Sequence, residues 1–142
     1  MGDHVTGKFG IAEQQSVSGG VCILLRLEGL CVLIAASITY HYVHPAWSQF
    51  FWLFFLPDIS FLGYLAGKKW GAFSYNALHS YVLPLMISVI SYLQNIPDAA
   101  PFLLIWIAHI GFDRAMGYGL KYSTGFGDTH LGKIGKSKKS SF

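Results

Sequence analysis

Four apolar runs, each about twenty residues long and set apart by short polar breaks, constrain this chain more than anything else in it. They cover 21–43, 47–66, 70–93 and 101 to about 120. A helix needs about 20 residues to cross the hydrocarbon of a bilayer. The connections at 44–46, 67–69 and 94–100 are short, so sequential helices run antiparallel. The second run holds Pro57-Asp58 at its middle. Proline removes a helical N–H and kinks the segment. The expected fold is therefore an all-α membrane protein, an antiparallel bundle of four transmembrane helices with the second helix broken at Pro57-Asp58. The expected organisation is a flexible arm over 1–20, a four-helix domain over 21–120, and a cytoplasmic loop and basic tail over 121–142.

Composition excludes the main alternatives. Charged residues make up 12% of the chain and apolar residues 53%, whereas soluble domains carry about 25% charged residues. A soluble enzyme or a nucleic-acid module is not expected. No cleaved leader is expected, because the first apolar run is too long for a signal-peptide core. Cys22 and Cys31 lie nine residues apart in one helical run, about 13 Å, too far to bridge.

Orientation follows from the lysines. Lys8, Lys68, Lys69, Lys121, Lys133, Lys136, Lys138 and Lys139 all fall in the two terminal segments or the loop between the second and third helices. The other two loops carry none. Basic segments stay cytoplasmic, so both termini and that loop are expected there. The expected location is a bacterial inner (plasma) membrane. Nothing in the sequence fixes the oligomeric state, and a homo-oligomer is allowed.

The polar residues inside the runs carry the functional argument. Charges at membrane depth are costly and normally face the bundle interior with a partner or a task. Here they are Arg26, Glu28, Asp58, Asn76, His79, His109, Asp113 and Arg114. Counted from the cytoplasmic ends, Glu28 is seven residues in, Asp58 nine, His79 nine, His109 about eleven and Asp113 seven. At about 1.5 Å per residue this is one layer roughly 10–17 Å deep. His109 and Asp113 are four apart and share a helix face. Imidazole and carboxylate donors suit a divalent metal, zinc foremost. Asp58, His79, His109 and Asp113 are thus the expected metal ligands. The alternative is a ligand-free network in which Arg114 neutralises Asp113 or Asp58. Arg26 and Glu28 project from different faces of one helix; Glu28 can complete the site, and Arg26 can bind an anionic group. Gly63, Gly67 and Gly71 stand at helix-packing spacing. The stretch 121–132 is polar and glycine-rich and carries Asp128 and His130. It is read either as a lid whose Asp or His reaches the polar layer, or as a mobile tail.

Two resemblances follow from these residues. Leu25 to Leu30, Pro57-Asp58 with Leu62 to Gly67, Tyr75-Asn76 with His79, and Ile107 to Gly132 resemble a family of small membrane proteins filed as a domain of unknown function, DUF4260. That resemblance implies a topology and no reaction. More distantly, Pro57-Asp58, the stretch Tyr75 to Ser80 and His109 to Asp113 are similar to bacterial inner-membrane metal-dependent hydrolases. Against that pattern, Ser60 stands where a second acid is expected and Tyr75 where a first histidine is expected.

The function expected is a membrane-embedded, metal-dependent hydrolase of a lipid-like or amphiphilic substrate. Asp58, His79, His109 and Asp113 would hold the metal. Glu28, Asp58 and Arg114 would act in catalysis, and Arg26, Asn76, Tyr118 and His130 would bind substrate. One alternative is a metal-free intramembrane isomerase or cyclase on a prenyl or lipid substrate, with Asp58 or Glu28 as the acid. Another is a non-enzymatic scaffold or ion path.

Overall fold

The computed structural model describes residue 17 and residues 19–134. Most of the expected N-terminal arm, with Lys8, and the tail lysines Lys136, Lys138 and Lys139 lie outside the described residues.

Helix α1 spans Gly19–Val43. Helix α2, Trp47–Leu53, passes through a turn into a 3-10 helix, Leu56–Ala66. The break expected at Pro57-Asp58 thus opens slightly earlier, at Phe54. Pro57 sits in the first turn of the 3-10 segment, where its missing N–H costs nothing. Gly67, at φ 114°, then reverses the chain into α3, Lys68–Leu78.

The third span differs from expectation. A single helix over 70–93 is expected, but the structure divides it into α3 and α4, Val82–Leu93, bent by 41°. The cause is Pro84 in the first turn of α4. Its ring would clash with the carbonyl four residues back, so the helix cannot run through Ser80.

Helix α5, Ala100–Met116, follows a short 3-10 turn at Pro97–Ala99. It stops four residues before the expected end near 120. Gly117 takes a left-handed conformation, its N–H donates to the Arg114 carbonyl (3.0 Å), and the Tyr118 N–H donates to the Asp113 carbonyl (2.7 Å). That pair of bonds is a Schellman stop.

By length and composition, α1, the segment Trp47–Ala66 and the segment Pro97–Met116 can each cross a membrane, and the bent α3–α4 pair makes a fourth candidate span. Large apolar side chains point outward, among them Ile23, Leu27, Ile34, Trp52, Leu65 and Val89. The interior is small: Ala36, Tyr40, Phe50, Phe54, Ile105 and Ala108 form its core. Helix α1 lies along α5 at glycine distance. A Cβ on Gly111 would stand 2.7 Å from the Leu33 nitrogen and 2.8 Å from the Gly29 carbonyl oxygen. Of the three spaced glycines, Gly63 packs against Ser74 and Gly71 against Tyr64, whereas Gly67 meets nothing within 4 Å and serves the turn.

After α5 the chain folds back beneath the bundle. Strands β1 (Asp128–Thr129) and β2 (Gly132–Lys133) form a small antiparallel hairpin, an addition to the all-helical expectation. Thr129 and Leu131 are buried.

A candidate metal centre and the pocket beside it

Three elements deliver four donor atoms to one point. The 3-10 segment supplies Asp58, the C-terminal end of α3 supplies His79, and one face of α5 supplies His109 and Asp113. One ligand atom from each lies within 4.8 Å of all the others. The two Nε2 atoms are 3.1 Å apart. Asp58 Oδ1 is 3.3 Å from His79 Nε2 and 3.5 Å from His109 Nε2. Asp113 Oδ2 is 3.5 Å from His79 Nε2 and 3.9 Å from His109 Nε2. An ion held tetrahedrally at about 2.0–2.1 Å separates its donors by about 3.3 Å. The spacing of the set fits such an ion.

The hydrogen bonding around the cluster points the same way. His79 Nδ1 lies 3.0 Å from the Tyr75 carbonyl oxygen. A carbonyl only accepts, so Nδ1 carries the proton and Nε2 turns its lone pair to the cluster. Two carboxylate oxygens and the His109 Nε2 face that lone pair, a set of acceptors that a cation, or a proton on His109 Nε2, would satisfy. The Tyr75 hydroxyl donates to Asp113 Oδ2 at 3.0 Å, and the Tyr75 ring stacks on His79 with centroids 3.8 Å apart. Ser60 Oγ is 3.5 Å from His79 Nδ1. Outer partners of this kind orient metal ligands. Ser60 and Tyr75, the two positions where a further acid and histidine were expected, thus stand behind the ligands. Phe54 closes the far side, edge-on to His109.

Burial is unequal. The His79, His109 and Asp113 side chains are 0%, 1% and 11% exposed, and Asp58 is 33% exposed. Asp58 opens onto a cavity of about 310 Å³ whose walls include Phe55, Phe61, Phe112, Tyr118 and Phe126.

The stretch 121–132 does form a cover, but not through its Asp or His. Asp128 accepts from Thr124 Oγ1, and His130 Nδ1 accepts from the Leu120 N–H at 2.8 Å. The residues that reach the cavity are Lys121 and Phe126. Asn76 fastens this cover to α3. Its Nδ2 donates to the Lys121 carbonyl (2.8 Å), and its Oδ1 accepts from the Lys121 N–H (2.7 Å). In the sequence Lys121 stands among the lysines of the C-terminal segment; the amide at Asn76, inside an apolar run, is the signal for its partner.

The other expected site residues lie apart from the cluster. Arg114 spends its guanidinium on the His79 and Tyr118 carbonyls, both at 2.8 Å. Among the described residues no carboxylate stands within ion-pair distance of it, so the direct pair with Asp113 or Asp58 does not form. Arg26 donates to the Ala115 carbonyl at the end of α5. Glu28 is exposed and shares a separate cleft with Tyr81, Arg114 and His130.

His130 is expected to make the cover pH-sensitive. Burial, and after it the charge of Arg114, holds its imidazole below the ordinary value. The unfolded segment therefore binds a proton first as pH falls. The cover's anchoring is complete above about pH 6.5 and is lost as pH drops through and below that value. Trypsin cleavage after Lys121 and Lys133, corrected with an unstructured peptide, is expected to quicken between pH 7.5 and 5.5. His130→Gln is expected to flatten that rise; an unchanged rise would place the sensor elsewhere.

Among known proteins, the family model for a domain of unknown function, DUF4260, matches residues 22–134. No match is found among curated proteins or among solved structures.

Proposed function

The chain belongs to the DUF4260 family, and we propose that it is a membrane-embedded metalloenzyme that hydrolyses an amphiphilic substrate at the Asp58–His79–His109–Asp113 cluster. The observation that carries this reading is the convergence of four donor atoms within 4.8 Å, three of the four residues buried, on the wall of an open cavity. Two nitrogens and two carboxylate oxygens suit zinc among the divalent ions. In this reading both chain ends, the cover and Lys68 and Lys69 face the cytoplasm.

Four protein donors saturate a tetrahedral ion, and a catalytic site keeps one position open. Asp58 is the donor placed to give way, being the most exposed of the four and facing the cavity. A bound metal would lower the pKa of a water to near neutrality and polarise the substrate. Asp58 would accept the proton of the attacking water as the water oxygen adds to an ester or phosphoryl centre, and would return it to the departing alkoxide. His79 and His109 hold position through Tyr75 and Phe54. Arg114 acts at one remove, by fixing the backbone of His79.

Elemental analysis of the detergent-purified protein tests the reading. About one equivalent of zinc or a similar ion is expected, absent from a His79→Ala, His109→Ala double variant of normal helical content. Wild-type protein that takes up no divalent ion would end this reading.

A further inference from the structure

We propose that the cavity beside the cluster receives an oxyanion, a phosphate or carboxylate group, on the ammonium of Lys121. The inference rests on the hydrolytic reading above and names the class of substrate for that site.

Lys121 is 4% exposed. Its ammonium has three N–H donors, and one is used, on the Phe126 carbonyl at 2.9 Å. The rest meet aromatic faces, with Nζ 3.7 Å from the Phe126 centroid and 4.7 Å from that of Tyr75. No carboxylate lies within ion-pair distance of it among the described residues. A buried ammonium is normally paired, since leaving it without an anion is costly. Burial indeed lowers the Lys121 pKa, with the charge of Asp113 opposing.

The position of this charge matters as much as its lack of a partner. Lys121 lines the same cavity as Asp58, His109 and Asp113 and, among the described residues, is the only lysine or arginine to do so. The remaining wall is mostly aromatic. A ligand seated there meets the cluster on one side, rings around its apolar part, and one fixed cation. At about 310 Å³ the cavity is at the small end of ligand pockets. It holds a small anionic molecule, or the headgroup and first carbons of an anionic lipid. The cation sits on the cover, so an anion bound to it also holds the cover shut.

The test compares phenyl phosphate with benzyl alcohol on zinc-loaded and chelator-treated protein in an uncharged detergent, by calorimetry. Phenyl phosphate is expected to bind at least about tenfold tighter, the size of one charge-assisted hydrogen bond. Lys121→Met keeps the packing of the stem and should bring the two probes within about twofold; Lys121→Arg should keep the preference. Equal binding of both probes by the chelator-treated wild type, or a preference that survives Lys121→Met in that metal-free form, overturns the inference. The wild-type comparison decides it even if the methionine variant does not fold. Zinc uptake is scored separately. Protein that takes up zinc without preferring phosphate refutes the inference alone. Protein without zinc that still prefers phosphate through Lys121 refutes only the hydrolytic reading. Dihexanoyl phosphatidic acid, run beside phenyl phosphate, separates the two sources: tighter binding of the lipid identifies a headgroup, tighter binding of the phenyl ester a soluble substrate.

Discussion

Asp113→Asn is expected to lower divalent-metal affinity by more than about 100-fold, beyond the loss that follows removal of an outer-sphere partner. Asp58→Asn is expected to cost far less in affinity while abolishing turnover. The two carboxylates differ in setting. Asp113 is nearly enclosed, shares a helix face with His109 and accepts the Tyr75 hydroxyl. Asp58 comes from a 3-10 segment and is one-third exposed at the cavity. Tyr75→Phe, which leaves all four donors in place, should weaken binding by about 10- to 100-fold. Metal titrations by mass spectrometry on the three variants decide the matter. Equal losses for the two aspartates would make the centre a closed structural one.

Gly111→Val is expected to unfold the bundle at a much lower temperature, at a cost of about 3 kcal/mol or more. The added carbon would press on backbone atoms of Leu33 and Gly29, which have no rotamer to escape into. Helix α1 must then move off α5. Gly20→Ala is the control, since nothing stands within 4 Å of a Cβ there; its effect should stay within about 0.5 kcal/mol. Thermal unfolding in detergent, followed by circular dichroism, reads both. A Gly111 variant as stable as the control would mean that the two helices do not meet there.

Much of this architecture was legible in the sequence because membranes impose a coarse and strong pattern. Twenty-residue apolar runs cannot be hidden, and polar residues at matching depth stand out against them. Counting residues from the helix ends put Asp58, His79, His109 and Asp113 in one layer, and the structure brings their donor atoms together. The details that escaped are those decided by single backbone events. Pro84 splits the third span because it acts four residues upstream, away from its own position in the pattern. Gly117 ends α5 early although the apolar character continues. The alternative, ligand-free reading paired Arg114 with a carboxylate, but its helix carries it toward the carbonyls of His79 and Tyr118. Depth counting gives no azimuth, so Glu28 was grouped with a cluster that faces another way. Lys121 was invisible for the opposite reason. A lysine just past a helix reads as solvated, and only the fold-back of the chain buries it.

The order in which the four donors appear along the chain bears on how the protein is made. Asp58 and His79 are 21 residues apart, on the two arms of one hairpin turned at Gly67, and their side chains meet at 3.3 Å. His109 comes 30 residues after His79. A ribosome adding 5–20 residues per second needs about 2–6 seconds for that interval. The 3.3 Å contact lies within the hairpin itself, so this first acid and first imidazole can pair without the last helix. The second pair arrives on a single helix, one turn apart and likewise together. Each half of the cluster thus carries its own acid–imidazole pair, and the four donors are complete only once α5 lies against the hairpin.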